Sequence, residues 1–174
     1  KNGKKHGLES EWYAGGKKRT EINYRNGYKM GSFSFWYESG IQGSVGEYDT
    51  LQESSSSKKL ITREVKTGKW QEWNKNGTLI KQNNYLAGKE NGKQEGWFEN
   101  GQKSFESNMF NNLPKGQLIR YHNNGKLNVK YNQYSTDYDK SPYRYYYDGS
   151  YEEYDMNGVP KTIGSYVNGL KTGK

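Results

Sequence analysis

The side chains able to do chemistry are few, and their spacing argues against catalysis. His6 and His122 stand far apart, and neither has a second histidine, a cysteine or paired carboxylates at metal-ligand spacing. They read as solvated or turn-facing. Glu152, Glu153 and Asp155 resemble an acid–base set, but successive strand residues face opposite sides of a sheet, so an exposed polar edge accounts for them. The serine run 54–57 has no Gly-x-Ser-x-Gly context and reads as part of a surface loop. The glycines lack the Gly-Lys-Ser or Gly-Lys-Thr ending of a phosphate loop. With no cysteine in the chain, disulfides, thiol nucleophiles and the usual structural zinc sites are excluded. The expectation is a protein that is not an enzyme and carries no cofactor and no bound metal.

One cluster is suited to recognition. Between Asp137 and Tyr151 lie Tyr138, Tyr143, Tyr145, Tyr146, Tyr147 and Tyr151, together with Lys140 and Arg144. Tyrosine and arginine dominate binding hot spots because they combine area, a hydrogen-bonding tip and a low ordering cost. Tyr138, Tyr143, Arg144, Tyr145, Tyr146 and Tyr147 are therefore the candidate partner-binding residues. The competing reading is that these rings fold back over the protein and supply core.

What must position them is a repeat. Six glycines are each followed nine positions later by another, at Gly7, Gly31, Gly68, Gly92, Gly116 and Gly149. Five residues into each interval stands Trp12, Trp36, Trp73, Trp97, Tyr121 or Tyr154. Eight or nine residues past the second glycine comes Tyr24, Tyr48, Tyr85, Phe110, Tyr134 or Tyr166. The undisturbed period is 24 residues, and a period of that size marks an array whose units bury their faces on one another. Two units are longer, with insertions near 52–67, read as a mobile surface loop, and near 137–148. A glycine that closes the unit is replaced by Leu51, Leu113 and Asp137. Both ends fall within a repeat, so residues 1–174 read as one array excerpted from a longer one.

Eight Asn-Gly pairs punctuate runs of six to eight residues rich in Tyr, Trp, Thr and Ile. Asn-Gly favours tight hairpin turns, and such short runs suit strands. Leu, Ile, Val and Phe make up only 25 residues, so the apolar area must come from 17 Tyr and 5 Trp. The predicted fold is all-β: an elongated, twisted, single-layer antiparallel sheet of consecutive hairpins, with equivalent aromatics stacked in two columns. The pattern Gly-x4-Trp/Tyr-x3-Gly followed by Tyr-x-x-Gly resembles MORN repeats, and is most similar to the variant in bacterial proteins often labelled as antitoxins. The resemblance implies a scaffold that binds other proteins or, in some members, anionic phospholipid.

The leading expectation is a non-catalytic scaffold for another protein, on or outside a bacterial cell. The alternatives are a carbohydrate or cell-wall module, given the aromatic hairpins, and attachment to anionic membrane, given the net charge of +8. No long basic run marks a nucleic-acid groove. Unpaired strands at the ends of such a sheet would favour end-to-end self-association.

Overall fold

The computed structural model describes residues 3–54, 59–136 and 144–172. All regular structure among them is strand. In chain order the elements are β1 (Gly7–Trp12), β2 (Lys18–Arg25), β3 (Tyr28–Trp36), β4 (Gln42–Ser54), β5 (Leu60–Trp73), β6 (Leu79–Leu86), β7 (Lys89–Trp97), β8 (Lys103–Phe110), β9 (Leu113–Tyr121), β10 (Leu127–Thr136), β11 (Arg144–Tyr154), β12 (Pro160–Val167) and β13 (Leu170–Thr172). They form one open sheet in sequential order, each repeat contributing a pair of antiparallel strands, as the Asn-Gly punctuation predicts. The chain divides into two compact units, Lys1–Lys89 and Glu90–Lys174.

Two kinds of turn alternate. In the first, Asn74 to Gly77, the Gly77 N–H donates to the Asn74 carbonyl at 3.0 Å and the Asn74 N–H to the Thr78 carbonyl at 2.9 Å. Only the glycine has positive φ, and the adjoining register slips by one residue at Trp73, so this is a turn closed by a bulge. The second kind is a two-residue turn with both residues left-handed, as in Asn26-Gly27 at φ 53° and 89°. Four of the eight Asn-Gly pairs therefore sit in the bulged turn, where asparagine keeps negative φ. The two-residue turn is also made without glycine, by Asn111-Asn112 at φ 52° and 68°.

That turn corrects the repeat register. The residues facing the opening glycines are Tyr24, Tyr48, Tyr85, Met109, Gln133 and Tyr166. Phe110 and Tyr134 lie one residue beyond this column, and one residue along a strand is the opposite face. Asn112, not Leu113, takes the place of the closing glycine. Leu113 pairs with Phe110 and is buried.

The first insertion is not a loop over its described residues. β4 and β5 continue past the neighbouring turns as a two-stranded arm, from Asp49↔Val65 to Ser54↔Leu60. Its root is held on both sides. The Lys29 N–H donates to Glu64 at 2.8 Å, and the Gly88 N–H donates to the Lys66 carbonyl at 3.0 Å.

A sheet with no second layer buries little, and only Ile22, Trp70 and Leu113 count as buried apolar residues among those described. In the first unit Trp70 stacks on Phe33 at 5.5 Å and meets Tyr48 edge-on at 5.0 Å. Its indole N–H donates to the Glu47 carbonyl at 3.1 Å, and Lys66 Nζ lies 4.1 Å from the ring centroid. The ring lies flat on Gly46, where an added Cβ would stand 2.2 Å from the indole. In the second unit Tyr131, Tyr147, Tyr151 and Tyr166 form the corresponding cluster, with centroids 4.9–5.9 Å apart. Rings pack on rings, but at positions other than the regular Trp column. Gly46→Val should therefore dislodge Trp70 and cost about 1–3 kcal/mol in urea unfolding. An unchanged midpoint would refute the ring-on-glycine core.

Candidate interaction surface

Because side chains alternate along a strand, each unit has a ring face, with the clusters just described, and an open face. The tyrosine-rich segment is split between them. Tyr147 belongs to the ring face, 4.9 Å from Tyr131 and 5.3 Å from Tyr166. Tyr146 lies on the open face and stacks on Tyr134 at 5.8 Å. Tyr145 is exposed, at 54%. Arg144, Tyr145 and Tyr146 line a cleft of about 440 Å³ together with Asn168, Gly169 and Leu170. Tyr138 and Tyr143 lie outside the described residues.

On the open face of the second unit, the cross-strand pairs one residue beyond the column that faces the opening glycines are apolar: Phe110 with Leu113, Tyr134 with Tyr146, and Val167 with Leu170. In the first unit the same places hold Arg25 with Tyr28 and Asp49 with Val65. Spacing alone does not reveal the apolar row, because Phe110 and Tyr134 lie nine residues past the second glycine and a single residue decides the face of a strand.

The regular aromatics also lie on the open face. Trp12 pairs with Lys18, Trp36 with Gln42 and Trp73 with Leu79, so a different side chain follows each ring across the sheet. Within either unit none of these column aromatics touches another ring among the described residues, which corrects the expected ring-on-ring stacking. What joins successive repeats here is the residue after the aromatic. Tyr13 Oη donates to the Trp36 carbonyl and Tyr37 Oη to the Trp73 carbonyl, each at 2.8 Å. His122 does the same work, with Nε2 3.0 Å from the Tyr154 carbonyl and Nδ1 3.3 Å from the Asn128 amide. It is a half-buried clip between repeats and not a solvated side chain.

The carboxylates are also spent on structure. Tyr154 Oη donates to Glu152 and Tyr151 Oη to Glu153, on opposite faces. Asp155 accepts the N–H groups of Val159 and Asn157 within its turn at 2.8 Å each, and these bonds lower its pKa. Among the described residues no group of three His, Cys, Asp or Glu is placed to hold a metal.

The densest charge cluster is in the second unit. Lys103 Nζ lies 2.8 Å from Glu95 and 3.0 Å from Glu106, and Lys93 Nζ lies 2.9 Å and 3.4 Å from the same two. Burial pushes the Glu95 carboxyl up, but the bonds from Lys103 and Lys93 outweigh it and hold the group below its ordinary 4.5. Glu106 is lowered chiefly by its bond from Lys103. A carboxylate lowered in the fold stabilises above its ordinary pKa, and that stability is lost as pH falls through the folded value. Lys103→Met should therefore destabilise most near neutrality, with the gap to the parent narrowing below about pH 4.5. A gap constant from pH 7 to pH 3 in denaturant titrations would contradict this.

Two segments, residues 5–26 and 66–87, match the MORN repeat variant family. Each runs from the lysine two before an opening glycine to the first residue of a two-residue turn or its equivalent, and together they cover about a quarter of the chain. No curated protein matches it. The thirteen-stranded succession of hairpins has the architecture expected of such repeats, and repeats of this family are in general associated with binding proteins or membranes.

Proposed function

We propose that the chain is a non-catalytic repeat scaffold that binds another protein through the second unit, where Tyr145, Tyr146 and Leu170 meet at the cleft. The observation that carries this reading is the run of apolar cross-strand pairs on the open face, Phe110 with Leu113, Tyr134 with Tyr146 and Val167 with Leu170. Phe110, Val167 and Leu170 are exposed there, at 36%, 54% and 74%. Apolar area gathered in one row, with aromatic rings and an arginine beside it, supports a recognition surface. Backbone turns hold it in place: the Gly169 N–H donates to the Tyr147 carbonyl at 2.9 Å and the Asn168 N–H to Asp148 at 3.2 Å. The insertion before Tyr145 individualises this repeat.

Charge favours a second reading for the first unit alone. Residues 1–89 hold 16 Lys and Arg against 9 Asp and Glu, whereas residues 90–174 hold 11 against 10. A positive field confined to one unit supports attachment to an anionic surface, with marked salt dependence. Sedimentation with acidic vesicles at low and physiological salt tests it, and absence of binding at low salt ends that reading.

For the leading reading, Tyr145→Asp and Leu170→Asp should each weaken capture of a saturable protein partner by about tenfold or more, the scale of one lost hot spot. Far-ultraviolet dichroism should stay unchanged. Equal capture by both variants and the parent would overturn it.

A further inference from the structure

The open-face aromatics of the first unit serve no core. Trp12, Trp36 and Trp73 occupy the same register in successive repeats, each beside a turn and each paired with Lys18, Gln42 or Leu79 on the next strand. Trp12 is 59% exposed, and Trp36 and Trp73 are partly exposed. Indole area exposed at the same register in successive repeats, while the rings of the opposite face contact one another, is available to a ligand. Strands lie about 4.8 Å apart, so rings two strands apart recur about every 10 Å.

Next to this row lie polar side chains on the same face. Ser10, Glu21 and Lys18 form one group, with Ser10 Oγ 3.4 Å from Glu21 and Lys18 ion-paired to Glu21. Gln71 and Gln82 form another, 3.0 Å apart. Beside Trp36 is a depression of about 380 Å³ lined by Lys17, Lys18 and Gly40. Lys18 Nζ lies 5.6 Å from the Trp36 ring centroid, near the outer limit of a cation–π contact, and its bond to Glu21 draws it toward the polar row.

We propose that this row binds a linear β-1,4-linked polysaccharide along its length. A pyranose ring presents an apolar face of C–H groups that packs on an aromatic ring and a rim of hydroxyls that seeks donors and acceptors. In an extended β-1,4 chain each sugar advances by about one inter-strand distance, so alternate sugars fall on successive tryptophans. The sugars between them fall on the spacers Lys18 and Gln42, whose polar ends reach hydroxyls. Neighbouring strands are rotated by about 20°, so the row follows a twisted path. A single soluble chain can follow that path and a flat crystalline surface cannot. A protein ligand would have no reason to match this interval.

Calorimetry with cellohexaose and chitohexaose tests the assignment on the whole chain, with maltohexaose, a curved α-linked chain, as the comparison. The expected result is binding of at least one β-linked hexasaccharide, tighter than of its disaccharide and absent for maltohexaose. Trp12→Ala, at an exposed position where folding is not at stake, should weaken it about tenfold, and Trp36→Ala should do so with unchanged dichroism. Trp36→Tyr, which keeps a ring, should retain most of the affinity if the alanine variant fails to fold. No binding of either β-linked hexasaccharide, or affinity indifferent to Trp12 and Trp36, overturns the proposal. So does a dimer in sedimentation that dissociates on Trp12→Ala, because a second copy would then occupy the row. Partner capture through Tyr145 and Leu170 is read separately, so either conclusion can fail alone.

Discussion

A sheet with nothing stacked on it must find burial sideways, and this constraint governs the rest of the molecule. Two layers normally exclude water from the space between them. Here the exclusion is lateral: a ring lies over the backbone or over the ring of the adjacent strand. Trp70 on Gly46 is the clearest instance, since the missing Cβ is what lets an indole reach the sheet itself. Gly96 under Phe105 repeats the device in the second unit, where an added Cβ would stand 2.3 Å from the ring. Large polar-edged rings suit such a core because they remain soluble where they are only half covered.

The same constraint explains which features could be read from the residues. Strand lengths, turn positions and the hairpin succession follow from glycine and asparagine at fixed intervals, and these came through directly. Contacts did not. The Trp12, Trp36 and Trp73 column is the most regular and so is expected to be packed, whereas the packing rings Phe33, Trp70 and Tyr151 fall at places that other repeats fill with Glu9, Gln94 or Leu118, and Tyr131 at one they fill with Ile22, Gly46 or Asn83. Regularity marks the position beside each turn, and burial is shared irregularly among neighbours. Phe110 and Tyr134 show how narrow the margin is. A tolerance of one residue in spacing, harmless in counting repeats, is a change of face in a strand.

The candidate sites were legible in kind more than in place. Tyrosine density singled out residues 144–147, but alternation distributes them, with Tyr147 in the ring cluster and Arg144 and Tyr146 across the sheet. The insertion at residues 52–67 was polar and therefore read as loop. Its strand-forming Ile61, Thr62 and Val65, paired with Glu53, Gln52 and Asp49, extend a ladder that the neighbouring turns anchor. The role of His122 escapes the sequence for a related reason, since its bond to the Tyr154 carbonyl spans a whole repeat and no local pattern announces it.

The clips formed by Tyr13, Tyr37 and His122 all point from one repeat to the carbonyl of the repeat that follows. On a ribosome, a hairpin carrying such a donor emerges before its acceptor exists. With 23, 36 and 32 residues between donor and acceptor and synthesis at roughly 5–20 residues per second, that hydroxyl or imidazole waits on the order of one to seven seconds for its acceptor. Each of these repeats is thus completed by its successor, and growth of the sheet is directional in time.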